Sequence, residues 1–134
     1  MMPSPLPASL LVALGGGGGA VLRFQLGNIV GRLFPGAATA FPWATLTANV
    51  LGSLCMGLLV GWLARHGSTA NEAWRLLIGV GLLGGFTTFS SFSLEMVLLW
   101  ERGSPGLAAT YALVSLLAGF AGLMLGLVIM RVSA

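Results

Sequence analysis

Gly84-Gly85-Phe86-Thr87-Thr88-Phe89-Ser90-Ser91-Phe92-Ser93 interrupts the third long apolar stretch of this chain. From Thr87 to Ser93, five of seven residues carry hydroxyls, where a membrane helix would favour leucine. A polar backbone break inside a bilayer is tolerated only where protein or a water-lined cavity surrounds it. The segment therefore reads as the working part of the molecule, where something small and polar binds or passes. The plainer alternative is a kink whose hydroxyls bond back onto their own helix.

The rest of the composition sets the frame for that break. Of 134 residues, 57% are hydrophobic and 7% charged, and the mean hydropathy is +0.98. Such a chain is neither disordered nor an ordinary soluble protein. A helical span needs about 20 apolar residues, so the length accommodates four spans with short loops and no second, soluble domain. The charge is carried by six arginines and no lysine. All except Arg23 fall near span ends, as interfacial anchors do, and the set gives no reason to expect nucleic acid. Cys55 has no partner for an internal disulfide and reads as a small buried hydrophobe. The start, Met1-Met2-Pro3-Ser4-Pro5-Leu6-Pro7, has no basic residue, so the first apolar stretch is expected to be a retained span rather than a signal.

The spacing predicts an all-α membrane protein with spans over 9–34, 42–65, 72–100 and 106–130, the third broken. Pro35-Gly36, His66-Gly67-Ser68 and Glu101-Arg102-Gly103-Ser104-Pro105 separate them. Pro42 suits a first helical turn and Glu72 a helix N-terminus. Gly15 to Gly19 would allow another helix to approach closely, and Ser53, Gly57, Gly61 and Ala118, Gly122, Gly126 form small-residue stripes at four-residue spacing. Arg65, Arg75 and Arg131 would lie on one membrane side, Arg32 and Arg102 on the other. Three against two is almost no orientation bias. Insertion both ways round follows as an expectation, and with it an antiparallel homodimer. Four helices alone pack to a filled core, so two copies would be needed to wall a conduit.

Several side chains within the spans carry chemistry. Asn49 is either glue between helices or a neutral donor facing a pathway. The hydroxyls of the break satisfy freed backbone groups or donate to an ion, while freed carbonyls suit a cation. Phe86, Phe89 and Phe92 pack, or turn their positive ring edges toward an anion. Arg23 snorkels, or lends positive potential to a pore mouth. Tyr111 and Ser115 are one turn apart and extend a polar line. Glu95 reads as a proton or cation site, or as a carboxylate paired with an arginine or set at an interface. No nucleophile, base and orienting group fall within one span, so an enzyme is not expected.

Together these pieces resemble the Fluc (CrcB) family of fluoride channels. The likeness covers all four spans: Gly17-Gly18-Gly19-Ala20-Val21-Leu22-Arg23-Phe24, then Thr45-Leu46 through Asn49 to Gly52-Ser53, then Gly84 to Ser93 with Glu95, then Tyr111 and Ser115. The resemblance implies a dual-topology, antiparallel homodimer in the cell's inner (plasma) membrane, with two pores that export cytoplasmic fluoride passively. It implies that Asn49 is the pore amide and that Phe89 and Phe92 line the path. Thr88, Ser90, Ser91, Tyr111 and Ser115 would add polar contacts, and Arg23 would stand at the entry. Backbone carbonyls of Gly84 and Thr87 would hold a structural Na+ ion at the dimer axis. Phe86 keeps its packing reading.

Two rival readings are open to the sequence. A small four-span, proton-coupled exporter of cationic drugs needs a carboxylate in its chamber, and here only Glu95 is placed for that. An assembly subunit would use the glycine stripes but leaves Asn49 and the hydroxyl cluster without a role.

Overall fold

A computed structural model of the chain describes the backbone of residues 5–66 and 70–132. Met1 to Ser4, and the Gly67-Ser68 portion of the expected turn, lie outside the described residues.

The first span is helix α1, Pro5–Leu33. Pro5 and Pro7 sit in its first turn, where a missing N–H costs nothing. The five glycines stay helical, since a spanning backbone must satisfy its own polar groups. Their use is close approach: a Cβ on Gly15 or Gly19 would overlap the carbonyls of Leu77 and Leu82 on the third span. Pro35-Gly36 do not simply end this run. They open a separate short helix, α2, Pro35–Ala40, with Pro35 at its start. Extended Phe41 follows. Pro42 then stands at the N-cap of α3 rather than within its first turn, and its carbonyl accepts from the Leu46 N–H at 3.1 Å.

Helix α3 spans Trp43–Arg65. Among its buried residues are Thr45, Ala48, Gly52, Gly57 and Gly61. Cys55 points off that stripe and is exposed, contrary to the buried reading.

The third span starts as α4, Ala70–Trp74, with Glu72 in its first turn and paired to Arg75 at 2.7 Å. It widens into a π-helix over Arg75–Leu83, then tightens to α5, Gly84–Phe86. Thr87 and Thr88 are extended, with φ/ψ of −78°/157° and −153°/123°. Helix α6, Phe89–Glu101, resumes after them. A turn in which Gly103 adopts φ +77° leads to α7, Pro105–Val132. The positive φ there is one that only glycine takes without strain.

Helix α3 packs along α7, α1 along the π-helical segment, and α6 against the start of α7. The glycine stripes form the first of these seams. Gly57 abuts the backbone of Leu123, and Gly126 abuts Leu54. Leu46, Leu99, Ala108 and Tyr111 form the core, with Phe41, Val50, Phe92 and Met96 around them.

Four helical stretches are long and apolar enough to cross a membrane: Leu6–Leu33, Trp43–Arg65, Asn71–Glu101 and Pro105–Val132. Very little of them is covered by the chain itself; in α7 only 6% of the most apolar window is buried. Leu113, Leu117 and Phe120 point outward. A surface of that kind suits hydrocarbon rather than water, and the molecule is a multi-pass membrane protein.

Candidate functional site

The break begins with Thr88. Its backbone is extended, so its N–H cannot close the helical bond to the Gly84 carbonyl four residues back. Asn49, reaching across from α3, takes over. The Thr88 N–H donates to Asn49 Oδ1 at 2.8 Å, and Asn49 Nδ2 donates to the Thr88 carbonyl at 3.2 Å. The amide thus clasps both polar groups of one residue, as a neighbouring strand would. Of the two readings of Asn49, the joining of helices is drawn directly, and one of its two amide hydrogens remains for another acceptor.

Thr88 is also the N-cap of α6, accepting at Oγ1 from the Ser91 N–H at 3.2 Å. Its hydroxyl meets Ser91 Oγ at 3.2 Å and Ser90 Oγ at 3.3 Å. Arg23 on α1 donates to Ser91 Oγ at 3.3 Å. The hydroxyls of the break therefore divide into two sets. Thr88, Ser90 and Ser91 form a cluster tied to a guanidinium. Thr87 and Ser93 bond back to the carbonyls of Leu83 and Phe89, as in a simple kink.

A cavity of about 320 Å³ opens beside the break. Asn49, Thr88, Phe89, Phe92 and Ser115 all line it. Ser115 Oγ is buried there without a hydrogen-bond partner, and Arg23 Nε is likewise unpartnered. The Phe89 and Phe92 rings lie 5.8 Å apart at 36°. Phe89 is 79% exposed on the single chain. Ser90, Ser91 and Arg23 are not among the lining residues; the two serines meet the lining residue Thr88 through its hydroxyl, and Arg23 meets Ser91. Phe86 does not line the cavity.

Tyr111 departs from the expected polar line. It is fully buried and absent from the cavity wall. Its hydroxyl donates to Glu95 Oε2 at 2.7 Å, and Thr45 Oγ1 donates to Glu95 Oε1 at 2.6 Å. Glu95 is thus held by two hydroxyls, and the arginine pair, one of the settings expected for it, is not formed. The Tyr111 ring packs on Phe92 at 5.0 Å and edge-on to Phe41 at 5.4 Å. Sequence reasoning missed Thr45 as the second partner of Glu95. The two are 50 positions apart, and spacing within one helix could not have joined them.

The carbonyls of Gly84 and Thr87 suit a cation on local grounds. The N–H that would cover Gly84 goes to Asn49, and the N–H that would cover Thr87, that of Ser91, goes to Thr88 Oγ1. No group of three His, Cys, Asp or Glu side chains occurs among the described residues, so a cation here would rest on carbonyl oxygen, a ligand type for hard, weakly polarising ions.

Apolar spans around a mid-span cavity lined in part by neutral donors and aromatic rings define a small multi-pass membrane protein. The chain belongs to the CrcB family: the model described as "CrcB-like protein, Camphor Resistance (CrcB)" matches residues 10–127. It is 56% identical over 126 residues to the fluoride-specific ion channel FluC of Novosphingobium aromaticivorans, covering 94% of this chain and 98% of that protein. Over 131 residues it is 51% identical to the FluC of Erythrobacter litoralis, covering 97% and 96%. The FluC of Beijerinckia indica is 52% identical over 124 residues, covering 92% and 95%.

Proposed function

We propose that this protein is a fluoride-selective channel that lets cytoplasmic fluoride leave the cell down its electrochemical gradient. The observation that carries the reading is the cavity in which Asn49, Thr88, Ser115 and the rings of Phe89 and Phe92 meet, in a chain about half identical to channels named for fluoride. Fluoride is small and strongly hydrated, so a path must replace its water with donors at short range. The remaining Asn49 hydrogen, the Ser115 hydroxyl and the positive ring edges can do so without a fixed charge, which would bind the ion too firmly to release it. A narrow path of this kind excludes chloride by size.

The working unit in this reading is an antiparallel homodimer inserted in the inner (plasma) membrane in both orientations, with two pores. The outward face of Phe89 is consistent with a ring offered to a pathway shared with a second copy. The carbonyls of Gly84 and Thr87, with their counterparts, would hold a structural Na+ at the dimer axis. When bound, that ion would tie the two breaks together. Gly84 and Thr87 position it, while Asn49 keeps Thr88 from closing the helix over Gly84. Fluoride loss from liposomes holding the pure protein, read with a fluoride electrode, tests the function. Rapid loss of fluoride with chloride retained is expected; retention of both ions would end the reading. No geometry favours the proton-coupled exporter, since both oxygens of Glu95 accept from hydroxyls and the residue does not line the mid-span cavity beside the break.

A further inference from the structure

A second cavity, of about 180 Å³, lies at the end of the molecule where α2 meets α6. Its walls include Thr39, Phe41, Glu95 and Arg102. Arg102 caps α6 and is exposed. One of its guanidinium hydrogens goes to the Thr39 carbonyl at 2.8 Å, fixing the side chain against the 38–42 segment. A guanidinium has five N–H donors, so most of them remain for another acceptor. Glu95 shares the cavity, and Glu101 is the neighbour of Arg102 in the chain, but neither forms an ion pair with the arginine. The two oxygens of Glu95 are taken by Thr45 and Tyr111, and the Arg75–Glu72 pair is the salt bridge found among the described residues.

The two cavities are neighbours. Phe92 lines the inner one and Phe41 the outer one. Tyr111 packs against both rings, at 5.0 and 5.4 Å. The rings of Phe92, Tyr111 and Phe41 thus run in contact from the wall of the mid-span cavity to the wall of the outer one. Arg23 serves the inner cluster through Ser91. Arg102 lies eleven residues further along α6, about 16 Å at helical rise.

We propose that the outer cavity is the membrane-surface mouth of the ion path, and that Arg102 is its entrance cation for small inorganic anions. The proposal rests on the channel reading above. An exposed guanidinium outside any ion pair raises the local concentration of anions around it, and salt screens that effect over a Debye length of about 10 Å at 0.1 M. Its signature is therefore a flux that depends on ionic strength.

Fluoride efflux from liposomes would be compared for the wild type, Arg102→Gln and Arg102→Lys at low and high concentrations of an impermeant salt, with monodisperse elution confirming each variant. Arg102→Gln is expected to be several-fold slower than wild type at low salt, with the gap closing at high salt, and Arg102→Lys is expected to follow wild type. Equal losses in both variants at every salt concentration would make Arg102 a structural latch for Thr39 and overturn the proposal. Wild-type rates in Arg102→Gln at low salt would also overturn it, while leaving the channel reading intact. A wild-type protein that passes no fluoride would remove both. If Arg102→Gln fails to fold, Arg102→Cys in a Cys55→Ala background serves instead. A cationic thiol reagent should then restore low-salt flux and an anionic one should not; no difference between the reagents refutes the role.

Discussion

Asn49 and Thr88 show how one side chain can hold open a break that a membrane would otherwise close. Replacing Asn49 with alanine removes both bonds and strands the Thr88 N–H, a loss of about 1–3 kcal/mol for a buried unsatisfied group. Asn49→Ala is expected to lower the unfolding temperature in detergent and to speed hydrogen exchange at the Thr88 amide; unchanged protection of that amide would contradict the clasp. Tyr111→Phe is a finer probe, since it keeps the ring stack on Phe92 and Phe41 and takes one of two donors from Glu95. Hydrogen bonds to charged groups contribute about 1.5–3 kcal/mol, and a stability loss of that order is expected by thermal unfolding. At this scale the sequence was read unevenly. Asn49, Thr88 and Ser115 are legible because a polar side chain is out of place in a lipid helix, whereas Phe89 and Phe92 are at home in one and were marked by the family resemblance. The contacts of Tyr111 and Thr45 with Glu95 were not legible, because they join residues on different spans and residue type alone does not reveal which hydroxyl a carboxylate will meet.

Among the elements, the seam between α3 and α7 depends on hydrogen at Gly57, Gly61 and Gly126. A methyl at Gly57 would meet the Leu123 carbonyl, whereas one at Gly27 meets nothing within 4 Å. Gly57→Ala is therefore expected to destabilise the protein by about 1–3 kcal/mol through overpacking, and Gly27→Ala to be neutral or mildly stabilising through better helix propensity. Unfolding of the two variants in the same detergent checks this; similar curves would mean that α3 and α7 do not pack as described. The four spans were legible because hydropathy over about 20 residues is a strong signal, and four-residue spacing of small residues marked the seams. The short helix Pro35–Ala40 and the π-helical stretch Arg75–Leu83 were not. The first has too few residues for a periodicity, and the second differs from an α-helix in hydrogen-bond register, which leaves no mark on composition.

For the whole molecule, the proposed antiparallel pair is supported by the weak arginine bias, while the exposed Phe89 supports only that a second surface covers it. Reporters fused after Ala134 should report from both sides of the cell membrane in comparable amounts; a reporter active on one side alone would contradict dual insertion. The central claim concerns what replaces water around the ion: uncharged donors and the rims of two rings in one cavity. Its most direct measurement is fluoride efflux from liposomes for Phe89→Ile and Phe92→Ile beside the wild type, each shown to elute as the same species. Isoleucine keeps the bulk and apolar character but has no positive edge. The account predicts that fluoride loss collapses in both variants while the proteins remain assembled, and wild-type efflux in both would contradict it.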